Sequence, residues 1–169
     1  MRVLMVGGGC RGLALARELT TAGHAVRAVT RTEARRPEIE VIGAECWIGD
    51  PDRVGTLRYA LDNVTILLWA LGTATGEPES VAALHGSRLA MMLERTVDTM
   101  VRGVVYECAG TLAPEVLARG ADEVRRANET NEVPYALLEA DPADTVAWVA
   151  GARAAIDGLL APRRAATAR

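Results

Sequence analysis

Short apolar runs alternate with longer amphipathic segments along the whole chain. Residues 3–6 are apolar, a glycine cluster follows, and apolar residues then recur at helical spacing up to residue 22. A short apolar run bounded by turn residues predicts a buried strand, and the helical spacing predicts an amphipathic helix. Five further apolar runs continue the alternation, at residues 25–29, 44–48, 64–69, 101–108 and 133–139. The pattern therefore predicts six strands joined by helices.

The segments between these strands carry helix and loop signals. Helices are predicted at residues 13–22, 37–42, 53–61, 81–100 and 114–128, the fourth with its propensity interrupted at Gly86, and a last one after the N-terminal box Asp141-Pro142-Ala143-Asp144. The longest polar, turn-rich stretch, residues 73–80, predicts a mobile lid or substrate loop. Regular alternation of strands and helices predicts an α/β fold with a doubly wound parallel Rossmann sheet, strand order 3-2-1-4-5-6, between two helical layers. We expect one domain over residues 1–161 and a disordered tail at 162–169.

A glycine motif stands between the first strand and the first helix. Gly7, Gly9 and Gly12 have the spacing G-x-G-x-x-G. In this context the first glycine permits a tight turn, the second lets the backbone approach a pyrophosphate, and the third lets the helix pack closely on the sheet. The helix N-terminus offers unpaired N–H groups and a partial positive charge to the phosphates. The motif predicts a dinucleotide site that fits a flavin or a nicotinamide dinucleotide; the plain alternative is a glycine-rich turn without a ligand.

The end of the second strand indicates which dinucleotide is preferred. About 20 positions beyond the glycine loop, chains that bind NAD carry an acidic residue for the ribose 2′-hydroxyl. This chain has Thr30-Arg31 there, and Arg35 and Arg36 follow. A guanidinium pairs well with a 2′-phosphate, which favours NADP over NAD. The alternative is that these arginines only solvate a surface loop.

Two other predicted strand ends are candidates for cofactor contact. Asp50 follows the third strand, where it can accept a hydrogen bond from adenine, cap a helix that begins at Pro51, or do both. Ala70-Leu71-Gly72 ends the fourth strand as a turn of small residues. Such a turn can lie against a ribose or a nicotinamide, or be a simple loop.

Composition argues against several classes of protein. Half of the 169 residues are apolar and the net charge is only −3, which disfavours a disordered chain and a nucleic-acid partner. No stretch reaches about 18 unbroken apolar residues and no signal region precedes the first strand, so we predict a cytoplasmic protein without a membrane partner. Cys10, Cys46 and Cys108 match neither a disulfide framework nor a zinc site, and no metal is expected. All 19 basic residues are arginine, so no lysine is available for catalysis.

Several segments, taken in order, resemble one family. They are Arg2-Val3-Leu4-Met5-Val6-Gly7-Gly8-Gly9-Cys10-Arg11-Gly12, Ala22-Gly23-His24-Ala25-Val26, Arg31, Gly43-Ala44-Glu45, Gly49-Asp50, Leu57 with Ala60-Leu61, and Val133-Pro134-Tyr135-Ala136-Leu137-Leu138. Up to about residue 160 the chain resembles the atypical short-chain dehydrogenases/reductases of the small NAD(P)-binding, NmrA-like or epimerase-like sort. The resemblance implies cofactor contacts from Gly7, Gly9, Cys10, Arg11 and Gly12, from Arg31 at the 2′-phosphate, from Asp50 near adenine, and from Ala70, Leu71 and Gly72 near the nicotinamide ribose.

The chain departs from this family in its catalytic residues. Active members use a Tyr-x-x-x-Lys pair, with a Ser or Thr after the fifth strand, to move a proton while the nicotinamide moves a hydride. Here the position after that strand is Cys108 or Ala109, and lysine is absent. An unperturbed tyrosine titrates near a pH of about 10, so without the lysine its proton is not labile near neutral pH. The remaining candidates for proton transfer are Tyr106, His85, Cys108 or a water molecule.

Three functions stay open on this sequence. The first is an NADP(H)-dependent oxidoreductase of unusual type, acting on a small carbonyl or alcohol substrate. The second is a non-catalytic NADP(H)-binding sensor or regulatory protein, which would need different affinities for two states. The third is an interaction module with a vacant site. Domains of this kind often pair through surface helices, so a homodimer is compatible with the sequence.

Overall fold

The computed structural model describes residues 1–162, and these form one six-stranded parallel sheet of order β3-β2-β1-β4-β5-β6. This confirms the predicted strand order. Except for Pro162, the predicted tail lies outside the described residues. The strands are β1 (Arg2–Gly7), β2 (Ala25–Thr30), β3 (Glu45–Ile48), β4 (Ile66–Ala70), β5 (Gly103–Glu107) and β6 (Tyr135–Leu138).

Helices connect the strands and cover both faces of the sheet. Asp144 caps the last helix through its Oδ1 atom, which accepts the Ala147 N–H at 3.0 Å, as the sequence box predicts. Three short 3₁₀ turns add to the connections, at Glu33–Arg35, Val54–Leu57 and Tyr59–Leu61. The helices are α1 (Gly9–Thr21), α2 (Arg36–Glu40), α3 (Pro78–Leu84), α4 (Ser87–Thr96), α5 (Pro114–Asn131) and α6 (Thr145–Leu160).

The predicted helix over residues 53–61 is wrong, because the segment forms two 3₁₀ turns instead. The Thr56 hydroxyl accepts the Asp50 N–H at 2.8 Å and donates to the Arg53 carbonyl at 2.8 Å. Such side-chain bonds compete with a regular helix, and Gly55 weakens it further. Asp50 is therefore no helix cap; its Oδ1 atom accepts the Asp52 N–H at 3.0 Å within a turn.

The single helix predicted over residues 81–100 is also wrong, since it divides into α3 and α4 at His85 and Gly86. The Trp69 indole N–H donates to the Leu84 carbonyl at 2.9 Å, so the carbonyl at the end of α3 is bound to the sheet. Gly86 has φ −129° and ψ −108°, which is not helical. The Arg119 guanidinium of α5 packs on this glycine, with Nε 2.8 Å from where a Cβ would stand. Contacts to the sheet and to α5 thus outweigh the apolar periodicity.

Two hydrophobic clusters pack on the two faces of the sheet. Val3 and Met5 of β1 face one cluster, which contains α1 and α6, while Leu4 and Val6 face the other, which contains α4 and α5. The alternation follows from the pleat of the strand. All six strands are parallel, so their carboxyl ends meet at one edge of the sheet.

Candidate functional site

The glycine motif forms a tight loop at the carboxyl end of β1. Gly7 has φ +86°, and a Cβ there would overlap the Ala70 carbonyl. Gly9 is exposed, and a Cβ on it would meet no atom within 4 Å. A Cβ on Gly12 would lie 3.0 Å from the Met5 Sδ and 3.1 Å from the Gly7 carbonyl oxygen. The three glycines thus provide a turn, an open approach and close packing of helix on strand, which are the roles a pyrophosphate loop requires.

The N-terminus of α1 is free to bind an anion. No side chain caps it, and no acidic residue lies in its first turn. The first N–H groups of a helix have no partner within the helix, and together with the helix dipole they favour negative charge. The backbone here is held rigidly, because the Gly8 N–H donates to the Ala70 carbonyl at 2.8 Å.

A cleft of about 440 Å³ opens beside this loop, between the ends of β1, β2, β3 and β4. Its size is within the range of small-molecule sites, and it lies where the strand order reverses, as ligands do in open α/β sheets. Its lining residues are Val6, Gly7, Gly8, Gly9, Val29, Thr30, Arg31, Thr32, Arg35, Gly49, Pro51, Ala70, Leu71, Thr73, Ala74, Thr75 and Leu84.

Two arginines contribute positive charge to the cleft. The Arg31 Nε donates to the Asp50 carboxylate at 3.1 Å, and both side chains are partly exposed. Arg35 also lines the cleft and pairs with Glu38 at 3.0 Å. Arg36 does not line it; its guanidinium binds Glu33 and Glu40 on the surface. Exposed pairs of this kind are weak, so a phosphate can displace the carboxylates from Arg31 and Arg35.

Half of the predicted cofactor residues line this cleft. They are Gly7, Gly9, Arg31, Ala70 and Leu71. The remaining predicted positions are not part of the lining: Cys10, Arg11, Gly12, Asp50 and Gly72. Asp50 lies next to the cleft through its pair with Arg31, and Gly12 acts from beneath the loop. These assignments as cofactor contacts stay predictions.

Arg11 belongs to a buried polar network that the sequence did not predict. Its guanidinium holds the Glu107 carboxylate with two nitrogens, Nε to Oε1 at 3.0 Å and Nη2 to Oε1 at 2.7 Å and Oε2 at 2.9 Å. The same carboxylate accepts the Gly72 N–H at 2.6 Å and the Trp148 indole N–H at 2.7 Å. Glu107 is 0% exposed and Arg11 8%. Four nitrogens therefore satisfy one fully buried carboxylate at the end of β5.

The loops after β4 and β5 are closed against each other above this network. The Gly72 carbonyl accepts the N–H groups of Thr111 at 3.0 Å and Leu112 at 3.4 Å. A Cβ on Gly72 would overlap the Ala109 carbonyl, and a Cβ on Gly110 would overlap the Gly72 carbonyl. Backbone here lies directly on backbone, which only glycine permits.

His85 and Tyr106, two of the three catalytic candidates, lie together but inside the protein. The His85 Nδ1 is 2.6 Å from the Tyr106 hydroxyl, and its Nε2 is 3.1 Å from the Leu71 carbonyl oxygen. Since a carbonyl oxygen only accepts, Nε2 carries the proton of the neutral ring, and Nδ1 accepts the tyrosine hydroxyl at 2.6 Å; the single hydroxyl proton is then not shared with the Leu117 carbonyl, which lies 3.1 Å away. Both side chains are 0% exposed. Burial lowers the pKa of His85 and raises the pKa of Tyr106, so both are held neutral.

Cys108, the third candidate, is half-buried after β5. Its Sγ lies 3.4 Å from the Leu138 carbonyl oxygen, and burial raises the pKa of the thiol. A raised pKa leaves little thiolate near neutral pH, and thiolate is the reactive form. Within residues 1–162, no three His, Cys, Asp or Glu side chains are grouped to hold a metal ion. Over the same range, no helix combines the length and apolar character needed to cross a membrane.

The parallel sheet, its strand order and the glycine loop at the switch point define a Rossmann-like α/β fold. Among solved structures, UDP-glucose 4-epimerase from Thermotoga maritima superposes with a TM-score of 0.69 at 13% identity, over 82% of this chain and 55% of that one. UDP-glucuronic acid 4-epimerase from Bacillus cereus, in complex with NAD, superposes with a TM-score of 0.66 at 12% identity, over 82% of this chain and 55% of that one.

Triphenylmethane reductase from Citrobacter sp., complexed with NADP(H), superposes with a TM-score of 0.62 at 20% identity, over 82% of this chain and 49% of that one. The chain thus spans about half the length of these proteins. At such identities the similarity establishes the fold. No protein-family model matches the sequence, and no curated protein is significantly similar to it.

Proposed function

We propose that this chain is an NADP(H)-binding protein whose role is to bind the dinucleotide and not to transform a substrate with it. One observation carries the binding part of the proposal: Arg31 and Arg35 line the same cleft as the glycine loop. The loop suits a pyrophosphate, and the arginines stand at the end of β2, where the adenosine ribose of a dinucleotide is bound.

The charge of the cleft supports NADP over NAD. Two guanidinium groups are available there, and planar guanidinium forks suit a phosphate. The Asp50 carboxylate beside the cleft is engaged by Arg31 at 3.1 Å. The similar structures do not discriminate, since the epimerase is a complex with NAD and the reductase a complex with NADP(H).

The state of the catalytic candidates favours binding without turnover. Bound NADPH supplies a hydride, and a reductase also needs a proton donor at the substrate. Tyr106 and His85 are fully buried and bind one another, and His85 also donates to the Leu71 carbonyl. Glu107 is saturated by four nitrogen donors. Tyr106, His85 and Glu107 are therefore not free to exchange a proton with a molecule in the cleft, and Cys108, the remaining candidate side chain, does not line it.

Calorimetric titration of the purified chain with NADPH and NADH tests the binding proposal. We expect NADPH to bind about tenfold or more tightly, since charge-assisted hydrogen bonds to a 2′-phosphate are strong. Arg31→Ala should remove the preference. Arg36→Ala is the matched control. Arg36 pairs with Glu33 and Glu40 and does not line the cleft, so this variant should keep the preference for NADPH. Equal or tighter binding of NADH by the wild-type chain would overturn the NADP assignment.

The competing oxidoreductase function is tested by incubating the chain with NADPH and a panel of small carbonyl compounds. We expect NADPH to remain unconsumed. Sustained oxidation of NADPH that depends on one of these compounds, and that is lost in a folded Tyr106→Phe variant, would establish the enzyme and refute the binding role. If no dinucleotide binds at all, the third function, an interaction module, is the one left.

A further inference from the structure

The cleft covers the first half of the crevice that a dinucleotide occupies and only the β4 edge of the second half. A Rossmann sheet consists of two mononucleotide-binding halves, and a dinucleotide lies across both. In this chain β1, β2 and β3 make the first half, and β4, β5 and β6 make the second. Every residue that lines the cleft belongs to the first half, to the end of β4 or to the loop and helix directly after it. Among the described residues, none after Leu84 lines it.

Side chains of the protein itself fill the corresponding part of the second half. Arg11 leaves the first turn of α1 and reaches Glu107 at the carboxyl end of β5. Trp148, from the first turns of α6, covers this ion pair: its ring lies 5.2 Å from the Arg11 guanidinium carbon, and it is fully buried. The space above the end of β5 is therefore occupied by a stacked arginine and tryptophan.

The backbone closes the same region from the side of β4. The Gly72 carbonyl is held by the N–H groups of Thr111 and Leu112, and the Gly72 N–H is held by Glu107. A ring inserted between these loops would have to break these hydrogen bonds, of which the one to Glu107 is buried. The network is also electrically balanced, because one guanidinium faces one carboxylate. It offers neither space nor charge to a second nucleotide.

We infer that the site recognises the 2′-phospho-ADP-ribose half of its ligand and leaves the nicotinamide ring in solvent. This inference rests on the proposed function and specifies it further. A ring that remains in water buries no area on the protein, and its charge is screened there. The chain therefore binds NADP⁺, NADPH and 2′-phospho-ADP-ribose with nearly the same affinity and does not distinguish the oxidised from the reduced cofactor.

Parallel calorimetric titrations of the wild-type chain test this inference, with NADP⁺, NADPH, 2′-phospho-ADP-ribose and nicotinamide mononucleotide as ligands. We expect the first three dissociation constants to agree within about threefold and the mononucleotide not to bind. In the NADPH complex, the fluorescence of the reduced nicotinamide should keep the emission maximum of the free compound, because the ring stays in water. A shifted emission would contradict the inference.

Two results separate failure of this inference from failure of the proposed function. If NADP⁺ or NADPH binds more than about tenfold tighter than 2′-phospho-ADP-ribose, the nicotinamide contributes and the inference is wrong, while NADP(H) binding stands. If none of the four ligands binds, the proposed function itself is wrong. Trp148→Phe, which keeps an aromatic ring in the second half and loses the N–H to Glu107, should leave the NADPH dissociation constant within about threefold. A larger loss of affinity would also refute the inference.

Discussion

Replacing Glu107 with glutamine removes one charge from the buried network and leaves its size almost unchanged. The carboxylate accepts from Arg11, Gly72 and Trp148, all of them nitrogen donors. A glutamine amide has one acceptor oxygen and one donor nitrogen. Whichever way the amide turns, its NH₂ group faces either the Gly72 N–H or the N–H groups of Arg11 and Trp148, and the Arg11 charge loses its partner.

The expected loss of unfolding free energy is large because the ion pair is buried from solvent. Removing one partner of a buried ion pair costs about 3–5 kcal/mol, since the other charge stays buried without compensation. The whole free energy of unfolding of a domain is only about 5–15 kcal/mol. The matched control is Asp122→Asn. Asp122 pairs with Arg125 at 2.7 Å, the same distance as the shortest bond between Arg11 and Glu107, but both partners are exposed. An exposed pair contributes about 0–1 kcal/mol.

Urea unfolding followed by circular dichroism measures both variants. We expect Glu107→Gln to lower the unfolding midpoint strongly with an unchanged slope, and Asp122→Asn to leave the midpoint nearly where it is. A double-mutant cycle with Arg11→Met then isolates the coupling energy between Arg11 and Glu107. The double variant should lose less unfolding free energy than the two single variants lose together. If Glu107→Gln and Asp122→Asn lower the free energy of unfolding by the same small amount, the Glu107 carboxylate does not hold the network and the reasoning is refuted.

Two further predictions concern packing and pH. Gly120→Ala should lower the free energy of unfolding by about 1–3 kcal/mol, because its Cβ would overlap the buried Tyr106 phenol. Gly158→Ala, in open space on α6, should raise the free energy of unfolding by about 0.5–1 kcal/mol. Urea unfolding compares the two variants, and changes of the same sign would contradict the packing argument. Burial lowers the pKa of His85 below 6.5, so the unfolded chain takes up a proton that the folded chain does not, and stability should fall as pH drops below about 6.5. His85→Gln should flatten this slope in unfolding measurements from pH 7.5 to 5.5, and an unchanged slope would contradict the argument.

Much of the fold could be predicted because it depends on local patterns. The six apolar runs and the helical segments between them are sufficient for a parallel sheet, and right-handed crossovers then fix its order. The glycine loop was predictable for the same reason, since Gly7, Gly9 and Gly12 act within one strand, turn and helix. The cap at Asp144 is also local.

Prediction from the sequence failed where the local structure depends on residues that are distant along the chain. Glu107 ends an apolar strand, and nothing near it in sequence indicates that its partner is Arg11, 96 residues away. The break at His85 depends on Trp69 and Arg119, which approach from β4 and α5. An acidic residue at the end of an otherwise apolar strand was the one available signal for the network, because a charge in such a position needs a partner.

The contact between Gly72 and Gly110 makes the shape of half the crevice depend on two absent methyl groups. Each residue stands where a Cβ would strike the backbone of the opposite loop. One nucleotide change turns a glycine codon into an alanine codon, and an alanine at either position forces the loops after β4 and β5 apart. A closed second half and an open one are therefore one substitution apart. A scaffold of this kind offers enzyme engineers a short route towards a crevice with room for a second ring.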